Sequence, residues 1–143
     1  MNKLTLFLDP IVEVKIIDGI LFSNVGIIRC WIDGEALDDL VDFSGSLMYF
    51  EELEASKLAS GRYLIFTCAC GIAEDGGWDG VIVNHTADVV EWEIDAGSKT
   101  YFYEFDKNQY FDQIALLKKS INLSLLPMEP NNVIFPLHFH RCM

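Results

Sequence analysis

Basic side chains are scarce in this chain of 143 residues, which has ten Lys and Arg against 22 Asp and Glu and a net charge of −12. The segment 31–56 has eight acids and no base, and the segment 63–98 has seven acids and no base. Such a surface repels nucleic acid and anionic membranes, so neither is an expected partner. It attracts a basic protein or a cation, although the same charge also serves solubility.

Long hydrophobic runs are also missing. The longest, "GIIRCWI" and "GRYLIFTCAC", fall far short of the roughly 20 residues that a membrane-spanning helix needs. Near the start, Pro10 and several acids interrupt the apolar pattern too early for a signal peptide. The hydrophobic content of 51% supports a folded core rather than disorder. We therefore expect a cytoplasmic protein with a single domain over residues 1–143.

Turn residues and apolar alternation indicate a chain dominated by strands. Asp9-Pro10 and Asp18-Gly19 are predicted turns, and Trp92 is predicted to face the core because it alternates with acids. Pro136 would confine the last strand to a sheet edge. The predicted strands cover residues 3–8, 11–17, 20–32, 63–70, 80–84, 89–94, 100–105 and 133–140.

Helical patterns occupy the regions between these strands. "EALDDLVDF" (35–43) and "SLMYFEELEASKLASG" (46–61) are predicted helices, although the start of the second could also form an edge strand. A third helix begins after Asp106, a good N-cap with Gln109 three residues later. Its apolar positions are Tyr110, Ile114, Leu117 and Ile121. The pattern predicts an α+β fold: a mainly antiparallel sheet (meander) with two to three packed helices.

Acidic residues concentrate in the first two predicted helices and in the loop that follows Cys70. We expect the helices to present a charged face that binds a basic partner, with Trp78 in the loop as an exposed aromatic anchor. The alternative for Trp78 is that it folds back to fill the loop. The predicted partner-binding residues are Asp38, Asp39, Asp42, Glu51, Glu52, Glu54, Trp78 and Asp79.

The four cysteines are expected to be reduced thiols, and Cys68 and Cys70 are too close in an extended segment to pair comfortably. Residues two apart in a strand share a face, so a zinc site is conceivable if two strands are neighbours. Its candidate ligands are Cys68, Cys70, His138, His140 and Cys142. The Cys-x-Cys spacing is not that of a zinc knuckle, so no metal and no other cofactor is expected.

No catalytic motif stands out. The loop "GIAEDGGWDG" has glycines but no Lys and no following helix, which argues against a phosphate loop. A redox pair usually takes the form Cys-x-x-Cys at a helix start, which is absent here. A hydrolase built on Glu91, Glu93 or Asp79 stays open, but nothing singles these acids out among 22. We therefore expect a protein that is not an enzyme.

The segment 63–117 resembles a pattern in small uncharacterised bacterial proteins. Its matching residues are Thr67, Cys68, Cys70, Gly71, Gly77, Trp78, Gly80, Val90, Trp92, Phe105, Asp106, Gln109 and Tyr110. The pattern often includes a further Cys in the glycine-rich loop, which this chain lacks. Many such proteins look like immunity proteins of bacterial polymorphic toxin or contact-dependent growth inhibition systems. The resemblance implies a binding protein with a cognate toxin as its partner.

Charge and resemblance together predict an immunity-type protein that neutralises a basic toxin domain, most naturally a nuclease, through an acidic surface. One alternative is a metal-binding or enzymatic domain that uses Cys68, Cys70 and the C-terminal His and Cys residues. Another is a scaffolding module whose acidity serves only solubility.

Overall fold

Short strands joined by tight turns make up most of the backbone. The computed structural model describes residues 1–142, and in that range it contains eleven strands, two α-helices and three 3-10 turns. The strands are β1 (Leu4–Ile11), β2 (Lys15–Ile17), β3 (Ile20–Phe22), β4 (Val25–Ile32), β5 (Glu35–Ala36), β6 (Ser46–Met48), β7 (Gly61–Tyr63), β8 (Phe66–Cys68), β9 (Val81–His85), β10 (Val89–Ala96) and β11 (Lys99–Asp106). The helices are α1 (Phe50–Ala55) and α2 (Lys107–Leu123).

All pairs between these strands are antiparallel, and the predicted α+β class is confirmed. A four-stranded sheet has the order β11-β10-β9-β7, and a three-stranded sheet has the order β1-β4-β5. The pairs β2–β3 and β6–β8 complete the framework. None of the helices in residues 1–142 is long and apolar enough to span a membrane.

The inner face of the four-stranded sheet forms much of the core. Along β10, Val90, Trp92 and Ile94 are buried while the residues between them are more exposed, which confirms the predicted inward direction of Trp92. The Trp92 ring makes edge contacts with Phe105 and Tyr110 at centroid distances of 5.1 and 5.9 Å. This aromatic cluster packs α2 onto the sheet.

Helix α2 begins and packs as its sequence predicts. The side chain of Asp106 accepts a hydrogen bond from the Gln109 backbone N–H at 2.9 Å, and Tyr110, Ile114 and Leu117 are buried. The Tyr110 hydroxyl accepts a hydrogen bond from Trp92 Nε1 at 3.1 Å and lies 2.6 Å from Ser56 Oγ. Because the Ser56 hydroxyl donates to a carbonyl in α1, Tyr110 is the donor to Ser56.

Two glutamines of α2 close the free edge of β1. Gln109 Oε1 accepts from the Leu4 N–H at 3.1 Å, Gln113 Oε1 accepts from the Leu6 N–H at 2.9 Å, and Gln109 Nε2 donates to the Leu4 carbonyl. The predicted turn at Asp9-Pro10 is wrong, because β1 continues through both residues. Pro10 lies at an even position like Leu4 and Leu6, so its missing N–H points away from β4 and removes no bond between strands.

The predicted helix over residues 35–43 is wrong. Two 3-10 turns, Leu37–Asp39 and Val41–Phe43, replace it, with Leu40 extended between them. Leu37 and Phe43 reach the core through this break, whereas Val41 is exposed. In a continuous helix, Val41 would lie beside Leu37 on one face, and Phe43 would lie almost opposite Val41. Leu37 and Phe43 would then not both face the core, so the core contacts override the helical pattern.

Two other predicted elements are shorter than expected, and one is absent. In residues 46–61, Ser46–Met48 forms a strand against β8, and only Phe50–Ala55 is helical. In residues 11–17, β1 ends at Ile11 and β2 begins at Lys15, and Val12, Val14 and Ile16 are exposed. The predicted strand over 133–140 is wrong, since this segment has only an isolated bridge between Ile134 and Ile72.

The C-terminal segment is held by Arg141. Its guanidinium donates two hydrogen bonds, of 2.8 and 2.9 Å, to the carboxylate of Glu52, which is only 5% exposed. The same group lies 4.6 Å from the centroid of the Tyr63 ring. The bond to Glu52 raises the pKa of Arg141, and Glu52 also accepts the Leu64 N–H at 2.8 Å. The segment is therefore tied to α1 and β7.

Replacing Tyr110 by Phe should lower the free energy of unfolding by about 1–3 kcal/mol, because Trp92 Nε1 and Ser56 Oγ would each lose a buried partner. Urea denaturation followed by circular dichroism measures the change.

Thr67→Val is the matched control, since Thr67 Oγ1 is buried with no hydrogen-bond partner in residues 1–142. Removing this hydroxyl should leave stability unchanged or raise it. Equal losses in both variants would contradict the role given to the Tyr110 bonds.

Replacing Arg141 by Ala should cost about 1–3 kcal/mol, because the buried carboxylate of Glu52 would keep only the Leu64 N–H. Lys118→Ala breaks the more exposed ion pair with Glu54 (2.8 Å) and should cost less than about 1 kcal/mol. In the double variant with Glu52→Gln, the cost should be smaller than the sum of the single changes. Additive costs would show that the two side chains are not coupled.

Candidate functional site

The outer face of the four-stranded sheet carries a row of carboxylates. Since side chains alternate along β10, Glu91, Glu93 and Asp95 point away from the buried Trp92. The register of β10 with β11 places Glu104 directly opposite Glu91. Four acids therefore occupy two neighbouring strands on one face.

An aromatic side chain lies among these acids. Phe102 of β11 is directly opposite Glu93 and is 68% exposed. On the other side of Glu93, Ile82 of β9 is its partner in register and is partly exposed. We call the six residues of this surface the acidic sheet face: Ile82, Glu91, Glu93, Asp95, Phe102 and Glu104.

The carboxylates of the acidic sheet face have no basic partners. Within residues 1–142, no Lys or Arg side chain forms an ion pair with any of them. Asp95 accepts a hydrogen bond from the Thr100 hydroxyl at 2.7 Å. The nearest base in register is Arg62 of β7, opposite Ile82, and its Nη1 lies 3.9 Å from a carboxylate oxygen of Asp79. The face therefore keeps its negative charge.

This arrangement does not serve the stability of the sheet. Like charges directly opposite each other on neighbouring strands are destabilising, by roughly 0.2–1 kcal/mol on the scale of cross-strand pairs. An exposed Phe102 buries little of its ring in the monomer. An exposed aromatic group among charged side chains is instead the anatomy of a protein-binding surface, where a central anchor is enclosed by a polar rim.

Four acids of the predicted binding surface, including Asp79 with its 3.9 Å contact to Arg62, are engaged in ion pairs within the fold. Asp38 pairs with Arg29 at 2.7 Å, and Glu54 pairs with Lys118 at 2.8 Å. Glu52, predicted to be exposed, is buried and bound to Arg141. The prediction for Glu52 is wrong because two contacts distant in sequence, Arg141 and the Leu64 N–H, bind its carboxylate.

The other three predicted acids differ in their surroundings. Asp42 accepts a hydrogen bond of 2.5 Å from the Tyr101 hydroxyl, and this bond raises the pKa of Tyr101 to about 12. Glu51 accepts one of 2.8 Å from the Tyr49 hydroxyl. Asp39 is exposed and has no ion pair within residues 1–142. The seven predicted acids thus do not form one continuous uncompensated face.

Trp78 is part of the core rather than an exposed anchor. Its side chain is 8% exposed, and its ring lies 5.7 Å from Phe43 and 5.6 Å from Phe66 between centroids. Gly77, with a φ of +74°, ends a 3-10 turn and lets the chain fold back so that the Trp78 N–H donates to the Ala73 carbonyl. The alternative prediction, that Trp78 folds back to fill the loop, is therefore correct. The neighbouring Asp79 is exposed.

The expectation of unpaired thiols at Cys68 and Cys70 is also wrong, because the two residues form a disulfide with Cα atoms 5.4 Å apart. Strand β8 ends at Cys68, and the Gly71 N–H donates to the Cys68 carbonyl in a turn that brings the sulfurs together. His138, His140 and Cys142 are exposed. In the described part of the chain, no three His, Cys, Asp or Glu residues form a group that could hold a metal ion.

The signal for the acidic sheet face was present in the sequence. Glu91 and Glu93 alternate with Trp92, which predicts that the acids share the exposed side of a strand. What the sequence did not provide was the register that sets Glu104 against Glu91 and Phe102 against Glu93.

Neither the models of known protein families, nor curated protein sequences, nor solved structures contain a match to this chain.

Proposed function

We propose that this chain is an immunity-type protein that binds and neutralises a cognate basic toxin domain in the cytoplasm, and that it binds through the acidic sheet face. The observation that carries the proposal is the set of four uncompensated carboxylates around Phe102 on a face that the rest of the fold leaves open.

Charge complementarity favours a basic partner. A net charge of −12 speeds the encounter with a positively charged protein, and clustered carboxylates orient it on arrival. Proteins that act on nucleic acids carry Lys and Arg at their active surfaces to contact phosphates. A nuclease toxin therefore has the surface that the acidic sheet face would recognise, and covering that surface would block its access to nucleic acid.

Phe102 supplies the apolar part of the contact. Aromatic anchors at the centre of an interface account for much of the binding free energy, while surrounding charged residues exclude water and set specificity. Glu93, opposite Phe102, would meet a base that packs beside the ring. Arginine suits this position because its guanidinium can pair with a carboxylate and stack on an aromatic face.

The metal-binding alternative has no observation in its favour. The sulfurs of Cys68 and Cys70 are bonded to each other, and the C-terminal His and Cys side chains join no group of three metal-binding residues in the described chain.

The decisive experiment is co-expression with the toxin encoded immediately upstream, followed by co-purification. We expect the chain to protect the cell and to form a stable complex. A chain that neither protects against that toxin nor binds it would contradict the proposed function.

Within such a complex, Glu104→Lys should weaken toxin binding about tenfold or more, mainly by slowing association and reducing its salt dependence. The same change should leave the monomer as stable or more stable, because it replaces a like-charge pair with Glu91 by an opposite-charge pair.

Phe102→Ala should also weaken binding about tenfold, chiefly through faster dissociation. Surface plasmon resonance and thermal denaturation measure these effects.

Two charge reversals outside the acidic sheet face are the controls. Glu13→Lys and Asp39→Lys change the net charge by the same amount at exposed positions without ion pairs in the described residues. Each should reduce association only modestly. A loss with Asp39→Lys that exceeds the loss with Glu104→Lys would move the binding surface to the other acidic region.

A further inference from the structure

A cavity of about 290 Å³ lies between the β2–β3 hairpin, strand β4 and strand β6. Asp18, in the turn that joins β2 to β3, lines the cavity and is exposed to solvent. No residue of the acidic sheet face lines it, so it is a separate feature of the molecule.

Buried apolar side chains form part of the cavity lining. Its lining includes Ile28, Phe43, Met48 and Phe66, all buried. Cys30 also lines it, and burial raises the pKa of this thiol, so it contributes as a small neutral group. An apolar cavity of about 150 Å³ holds a benzene molecule. A volume of 290 Å³ therefore accommodates a bicyclic aromatic ring or an apolar group of similar size.

The mouth of the cavity carries four charged side chains, and two of them are already engaged. Arg29 pairs with Asp38 at 2.7 Å and with Asp9 at 3.6 Å. The other two, Lys15 and Asp18, have no ion pair in residues 1–142. The cavity thus offers a ligand one free cation and one free anion.

Lys15 and Asp18 belong to the same hairpin, three residues apart. Lys15 lies on β2, and Asp18 follows that strand in a two-residue turn with a left-handed φ of +50°. Asp18 also packs against the loop at Gly45, where an added Cβ would lie 3.1 Å from the Asp18 Cβ. This contact keeps Asp18 at the cavity mouth.

We propose that the cavity binds a small zwitterion of the amino-acid type with a bicyclic aromatic side chain, whose carboxylate pairs with Lys15 and whose ammonium pairs with Asp18. The apolar walls hold the ring. A ligand without net charge also escapes the repulsion that a protein of charge −12 exerts on anions. This proposal does not depend on toxin binding.

Three probes that share the indole ring test it: L-tryptophan, indole-3-propionate, which has only the carboxylate, and tryptamine, which has only the ammonium. Isothermal titration calorimetry should give saturable one-to-one binding of L-tryptophan. We expect each single-charge probe to bind about tenfold more weakly, because each loses one charge-assisted hydrogen bond. L-Alanine, which lacks the ring, should not bind measurably.

Two variants at the cavity mouth test which charge of the ligand each side chain binds. Lys15→Gln should weaken L-tryptophan and indole-3-propionate but not tryptamine, and Asp18→Asn should weaken L-tryptophan and tryptamine but not indole-3-propionate. Asn tolerates the left-handed backbone of position 18, so the turn is preserved. Lys119→Gln and Asp88→Asn, at exposed positions that do not line the cavity, should leave binding unchanged.

Filling the cavity supplies an independent test. Ile28→Phe should abolish binding of all three probes, with heteronuclear NMR spectra confirming that the variant is folded. If it does not fold, the Lys15→Gln and Asp18→Asn variants decide the outcome. The proposal is overturned if none of the probes binds at millimolar concentration, if Ile28→Phe binds them normally, or if indole alone binds as tightly as L-tryptophan.

Discussion

The hydroxyl of Tyr110 is the contact on which the arrangement of the fold depends. It accepts a hydrogen bond from Trp92 in the four-stranded sheet and donates one to Ser56 after α1, so one buried oxygen joins three elements. Without this hydroxyl, Trp92 Nε1 would lose its hydrogen-bond acceptor, while Ser56 would keep its bond to the Leu53 carbonyl. Fixing α2 on the inner face in this way commits the long helix to one side of the sheet. The opposite side is then left open, and that is where the uncompensated acids lie.

Stability and binding make opposite demands at the acidic sheet face. The fold would gain from a base at position 91 or 104 and from a polar residue in place of Phe102. A surface that meets a basic partner needs the reverse, because its charges find their counterparts only in the complex. Residues that are unfavourable in the monomer and open to solvent are the pattern expected where function, rather than folding, determines the side chain. The paired acids Asp38, Glu52 and Glu54 show the contrast, since each has its counterion within the chain.

Local sequence signals predicted the parts of the fold that local interactions determine. The N-cap at Asp106, the buried row Tyr110, Ile114 and Leu117, and the inward Trp92 all follow from periodicity and capping. Residues 35–43 and Trp78 could not be predicted, because contacts with distant aromatic side chains decide their conformation. The candidate site was likewise predictable only in part. Alternation in β10 indicates that Glu91 and Glu93 lie on the outer face, but only the pairing with β11 assembles them with Phe102 and Glu104 into one surface.

The glutamines of α2 have a consequence for the solution behaviour of the chain. Gln109 and Gln113 occupy the backbone groups of Leu4 and Leu6 that a strand from another molecule would otherwise bond. The protein therefore shields a sheet edge with side chains of a helix rather than with another strand. Detachment of α2 would uncover, in a single step, both the apolar inner surface of one sheet and the hydrogen-bonding edge of the other. A state in which α2 is detached is therefore expected to self-associate, and the packed helix protects the chain against aggregation.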